Sequence, residues 1–201
     1  MSTLSDASAN MSLLEERAER VLDDHIGALP PHVFMLGAEY TPQEFAHSVC
    51  MRNEYMAMTS FTHHPFDEMF VLEIPDNYNN DPFYNVPIDV LMNRIEKSIR
   101  AGHPVCWEGD ITEKGFSFKD GVAMLGKEQP CTQQQRQTAF ENRSTTDDHC
   151  MALIGLAHDK QGHRFYIAKN SWGPDNPYGG LMYLSENYIR MKTVAVVVKN
   201  M

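Results

Sequence analysis

Residues 147–173 read DDHCMALIGLAHDKQGHRFYIAKNSWG. Two apolar runs, 151–159 and 163–172, flank Gln161-Gly162, a dipeptide suited to a hairpin tip. His149 opens the first run and Asn170 closes the second, 21 residues later. A hairpin brings those ends together, so the pattern predicts an imidazole beside a carboxamide. An amide oxygen there holds one tautomer of the ring and points it. Trp172 would shield that hydrogen bond from water. This is the orienting half of a nucleophile–base–orienter unit. A plainer reading fits the same residues, with His149 at an ordinary strand start and KNSWG as a turn.

Outward from this stretch, short β-type runs with turn residues between them occupy 103–110, 120–125, 180–186 and 193–200. The N-terminal part is written differently. Leu14, Ala18, Val21, Leu22 and Ile26 follow a 3.6 period over 11–27, ended by Gly27 and Pro30. Thr41-Pro42-Gln43-Glu44 is a helix start with a capping box, and that helix should reach about Cys50. Pro87 opens another over 88–100, with Ile88, Leu91, Met92, Ile95 and Ile99 on one face and Gly102 past its end. Residues 68–75 suggest a strand, 76–87 a loop, and 127–146 a polar surface loop with a short helix; 55–67 suit neither helix nor strand. Residues 1–10 are expected to be disordered and 11–201 to form one domain. Helices first and a mostly antiparallel sheet or small barrel afterwards make an α+β pattern.

The chain has 201 residues and a formal charge of 17 − 27 = −10. That balance argues against nucleic acid and anionic membranes, which need a positive face. No run approaches the roughly 20 apolar residues of a membrane helix, and the polar opening is no secretory signal. The four cysteines, 50, 106, 131 and 150, contain no CxxC pair, which disfavours structural zinc. They read as reduced thiols of a cytoplasmic protein, and the 13 methionines read as core filler. His63-His64 with Asp67 and Glu68 nearby raises the thought of a metal, but the spacing gives no i,i+4 ligand pair; neither metal nor cofactor is expected.

DDHCMALIGLAHD, KNSWG and the following YGG-x-MYLSE resemble the C-terminal half of papain-like cysteine peptidases, most closely the bleomycin hydrolase and aminopeptidase C branch. EYTPQEFA, MTSFTHHPF, VLEIPDNY, the helix at 88–100, WEGDITEKGFS and TVAVVVKN are similar to segments of that branch in the same order. The resemblance covers roughly 20–200. It implies a partial papain-like fold, a peptide substrate, His149 as general base, Asn170 as its orienter and Trp172 as the shielding indole. It also implies a nucleophile in a Gln…Gly-x-Cys-Trp-[Ala/Ser]-Phe segment at a helix start, where the terminus lowers the thiol pKa. This chain contains no such segment, so nucleophile and oxyanion Gln are expected to be missing. Cys106-Trp107 copies the dipeptide but sits in a strand-type run without helix-dipole help, which leaves Cys106 a weak candidate. Cys150 adjoins His149 and should point to the opposite face; Cys50 and Cys131 match no motif. Glu108 and Asp110 belong to the strand that flanks the cleft in such folds, and a solvated rim is expected there. Relatives continue into a C-terminal arm that restricts cleavage to free N-termini, so the end at Met201 puts that specificity in question.

Three functions compete. One is the His–Asn portion of a cysteine peptidase, inactive alone and completed by a separate nucleophile-bearing segment. The second is a non-catalytic peptide-binding or assembly protein derived from a peptidase. The third is a self-sufficient hydrolase that uses Cys106. In each case exposed apolar surface predicts association, including homo-oligomers.

Overall fold

A computed structural model describes residues 3–51, 53–126 and 130–200, with side chains from Asn10 onward. The chain divides into two compact units, Met1–Arg52 and Asn53–Met201.

The first unit holds helix α1 (Thr3–Ile26), strands β1 (Val33–Met35) and β2 (Ala38–Tyr40), and helix α2 (Pro42–Val49). Residues 3–10 contain neither Gly nor Pro to interrupt the helix. β1 and β2 pair antiparallel with Met35 opposite Ala38. Leu36 and Gly37 both have positive φ, 52° and 82°, as a type I′ turn requires. α2 starts as its sequence dictates. Thr41 Oγ1 accepts from Glu44 N at 3.2 Å, and Glu44 Oε2 accepts from Thr41 N at 2.8 Å. Tyr40 packs edge-on against Phe45 at 5.9 Å, a hydrophobic staple across the cap.

The second unit runs β3 (Tyr55–Thr59), β4 (Met69–Val71), β5 (Pro82–Asn85), α3 (Ile88–Arg100), β6 (Val105–Gly109), β7 (Phe116–Ser117), β8 (Val122–Ala123), α4 (Gln133–Glu141), β9 (His149–His158), β10 (Arg164–Lys169), β11 (Leu181–Ser185), α5 (Glu186–Lys192) and β12 (Thr193–Lys199). Its ten strands form one sheet in the order β4-β5-β3-β12-β6-β9-β10-β11-β8-β7. Two contacts, β3–β5 and β11–β8, are parallel and the others antiparallel. β12 lies between β3 and β6, and Val194, Ala195, Val196 and Val198 are all buried. Burial on both faces explains its unbroken apolar run, TVAVVV. α3 lays Ile88, Leu91, Met92 and Ile95 on β6, β9 and β12.

Three elements depart from expectation. β3 lies in the segment that suited neither state, because YMAMT alternates weakly and Met and Ala carry little strand preference. β5 occupies part of the expected loop, held by β4 on one side and β3 on the other. α4 lies at the surface on one face only: on the other Arg136 is fully buried, with Nε donating to Ser60 O at 2.9 Å and its guanidinium 4.6 Å above the Phe61 ring. Residues 127–129 of that expected loop lie outside the described residues.

The packing of α3 has a direct test. Leu91 is 0% exposed and its neighbour Val90 42%. Leu91→Ala should lower unfolding stability by about 2–5 kcal/mol, whereas Val90→Ala should stay within about 0.5 kcal/mol. Urea unfolding of both variants measures the contrast.

Candidate functional site

β9 and β10 pair from His158↔Arg164 inward, around a loop of residues 159–163 that contains Gln161-Gly162. Asp159 organises this loop by accepting from Gln161 N and His163 N, both at 2.8 Å. The pairing slips once: Ile167 faces Gly155, but Ala168 faces Leu153. Ile154 is the extra residue of a β-bulge. Because side chains alternate with period two, this bulge changes which face the start of β9 presents. Beyond it Met151 and Leu153 share the buried face with Ala168, and His149 and Asn170 fall on that same side.

His149 Nε2 lies 2.9 Å from Asn170 Oδ1. The same oxygen accepts from Ser171 N at 2.7 Å, and Asn170 Nδ2 points to Met182 Sδ at 3.5 Å. A backbone N–H can only donate, so Oδ1 is the acceptor and His149 Nε2 carries the proton. Nδ1 is then the ring's free lone pair. Trp172 tilts over the imidazole with ring centroids 5.0 Å apart, braced edge-on by Phe116 and Phe118. The indole is itself 46% exposed, so it covers the ring from one side only. Asn176, unnoticed in the sequence, shapes the loop behind Asn170. Its Oδ1 accepts from Tyr178 N at 3.0 Å and Gly180 N at 2.8 Å, and its Nδ2 donates to Leu181 O at 2.8 Å.

The entry to β9 is strapped down by a buried ion pair. Asp110 and Lys192 are 1% and 2% exposed, with Nζ 3.4 Å from Oδ2. Asp110 Oδ2 accepts from Thr146 N at 3.0 Å, and Lys192 Nζ donates to Ser144 O at 2.6 Å and pairs with Glu113 at 2.9 Å. Asp148 Oδ1 accepts from Ile111 N at 2.9 Å. Residues 144–148 are thereby fixed just ahead of His149. Gly109, opposite His149, has no room for a side chain: a Cβ there would strike the Lys192 carbonyl and the Trp107 indole. Asp110 is therefore no solvated rim residue, contrary to expectation; the strap needs its charge in the interior.

Glu108 departs from the solvated rim too. Its carboxylate and those of Asp76 and Asp147 lie within 4.8 Å of one another. Burial first, then the hydrogen bond and charge of Asp147, push the Glu108 carboxyl up to about 8. Asp147 Oδ2 is buried and meets no protein donor other than a protonated Glu108. Cys106 and Cys150 occupy the exposed face of β6 and β9. Cys106 faces Ala152, three residues along β9 from His149, or about 10 Å at the usual strand rise. Burial and the Glu108 carboxylate raise its thiol pKa, and they push Cys150 to about 11. A nucleophile needs the opposite shift, and Cys106 projects from the face of the sheet opposite His149. Cys131 is buried, with Sγ 3.2 Å from Met191 Sδ.

His63 and His64 meet Glu73 rather than Asp67 or Glu68. Their Nε2 atoms lie 3.2 and 2.8 Å from its two oxygens. Gln137 Oε1 accepts from Thr62 N, so its Nε2 faces His63 Nδ1 at 3.0 Å and donates there. His63 therefore directs its Nε2 proton toward Glu73. The pair braces a loop, with His64 stacked on Phe70 at 4.2 Å.

Two outcomes check these interactions. Asp110→Ala should cost about 3 kcal/mol by removing the buried partner of Lys192 and leaving Thr112 N and Thr146 N without their acceptor, and adding Lys192→Met should restore part of it; urea unfolding in a double-mutant cycle reads both. Glu108 has a raised pKa in the folded state, so the folded chain binds its proton more tightly than the unfolded chain does. Its contribution is complete below the unfolded value near 4.5 and is lost as pH rises toward about 8. Glu108→Gln should therefore gain stability relative to the native chain between pH 5 and pH 8, measured as melting temperature against pH.

Among the described residues no helix is long and apolar enough to cross a membrane. A family model described as Peptidase C1-like matches residues 32–201. Aminopeptidase G of Lactobacillus delbrueckii subsp. lactis is 24% identical over 155 residues, which are 73% of this chain and 35% of that protein. PepW of Lactobacillus rhamnosis HN001 superposes with a TM-score of 0.71 at 18% identity, covering 99% of this chain and 49% of its own. Bromelain from Ananas comosus gives 0.36 at 13% identity, over 57% of this chain and 46% of that one. The chain thus spans about a third of aminopeptidase G and about half of PepW. The likeness to PepW shows the α+β papain-like fold. With a family model matched over most of its length, the chain belongs to the Peptidase C1-like family.

Proposed function

We propose that this chain supplies the base and its orienter to a cysteine peptidase active site, with His149 as general base and Asn170 as the group that positions it. The observation that carries this reading is the 2.9 Å contact between His149 Nε2 and Asn170 Oδ1, which leaves Nδ1 free to take a proton. In the reaction a thiol gives its proton to Nδ1, and the thiolate attacks the peptide carbonyl carbon. The imidazolium keeps its Nε2–H directed at Asn170. It then returns the Nδ1 proton to the departing amine, and water hydrolyses the acyl-thioester.

The thiol in this scheme comes from another segment, in this polypeptide or in a partner. Cys106 and Cys150 face away from His149, Cys131 is buried, and Cys50 matches no nucleophile motif. A peptide is the substrate in this reading, and the name of aminopeptidase G suggests peptides with a free amino end. The family resemblance supports a cytoplasmic enzyme.

The test is co-expression with a polypeptide that carries the family's Gln…Gly-x-Cys-Trp segment, followed by assay of thiol-dependent hydrolysis of an aminoacyl amide. The chain alone should be inactive and the pair active. His149→Ala should lose at least about 10²-fold. Asn170→Ala should lose less and shift the pH profile. Activity untouched by His149→Ala would sink the assignment. Peptide binding without turnover by the folded, associated pair would favour the non-catalytic alternative.

A further inference from the structure

We propose that Cys106 and Cys150 act together as a dithiol site that takes one soft, two-coordinate cation of the Cu(I) class. The inference is independent of the peptidase reading. In the β6–β9 pairing Glu108 faces Cys150 and Cys106 faces Ala152, so the two thiols project from one face on adjacent strands, one diagonal step apart. Both are exposed. They line a groove of about 480 Å³ with apolar Pro104, Ala152 and Val197 on one part and Lys169 and Asn170 on another.

The number of donors decides the class of ion. Zinc takes four ligands. Among the described residues, the His, Cys, Asp and Glu groups close enough to form a three-ligand set are His63-His64-Glu73 and Asp76-Glu108-Asp147, and neither includes a thiol. Two sulfurs without further donors suit a soft d¹⁰ monocation, since thiolates select Cu(I). A disulfide fits less well. Diagonal neighbours on paired strands stand about 7–8 Å apart, beyond the roughly 7 Å at which two cysteines close without backbone movement. An ion between the sulfurs lengthens the bridge.

Binding breaks two S–H bonds, releases two protons to solvent and forms two Cu–S bonds, with copper staying Cu(I). The product carries one negative charge, and Lys169, which lines the same groove, supplies a countercharge. Both thiols must lose a proton to bind, so apparent affinity rises with pH.

The probe is Cu(I) under anaerobic conditions, in competition with bicinchoninate. The native chain should bind one equivalent. Cys106→Ser and Cys150→Ser should each weaken binding at least tenfold, while Cys50→Ser should not. Failure of the native chain to compete, or undiminished binding by either exposed-pair variant, overturns the site. A second measurement needs no variant. Phenylarsine oxide condenses with two thiols and releases one water, so mass mapping of the treated native chain should find one arsenical joining the Cys106 and Cys150 peptides. An arsenical on other cysteines, or none, counts against the proposal.

Discussion

A single extra residue in β9 sets the geometry of the site. Without the bulge at Ile154, continuous pairing would place Asn170 opposite Ala152, on the face that carries Cys150 and Cys106. The slip between Ile167 and Ala168 moves Asn170 to the face of Met151 and His149 instead. Side-chain direction in a strand has only two values, so one inserted residue is enough to switch between them. The imidazole–carboxamide contact, the tautomer it selects and the cover by Trp172 all follow from that switch.

The bulge would be of little use if the start of β9 could shift. The strap formed by Asp110, Lys192 and Asp148 holds it in place. Buried charges are costly unless satisfied, and here nearly every donor and acceptor of the pair is engaged with backbone or with Thr112, Glu113 and Thr146. At Glu108, burial and the nearby Asp147 favour the protonated acid, because two carboxylates that close cannot both ionise cheaply. β6 thus leads into a satisfied ion pair at Asp110 just past its end and carries the close Glu108–Asp147 carboxyls beside the thiols.

Legibility varied with how local the cause was. Thr41-Pro-Gln-Glu44 specifies its own capping box, and the helix at 88–100 shows its buried face in its 3.6 period. The apolar run of β12 reflects burial on both sides. By contrast, β3 and β5 are strands because neighbours distant in sequence pair with them. α5, ENYIRMK, is one short helix folded between two strands, and its signal is lost in the β-type runs on either side. Arg136 and Gln137 read as a polar loop and proved buried, because the partners that satisfy them are Ser60, Arg190 and Thr62. The pairing of His63 and His64 with Glu73 was hidden for the same reason.

By itself, the sequence determined the class of the fold, the hairpin of β9 and β10, and the placing of His149 and Asn170 at its open end, since strand periodicity and turn residues act over a few positions. Only the tertiary structure decided that the imidazole and the carboxamide share a face, that Asp110 is interior, and that Cys106 is turned away from the ring. Those outcomes rest on strand register and long-range pairing. One residue of slip reverses a face without altering the pattern of apolar and polar residues by which a sequence is read.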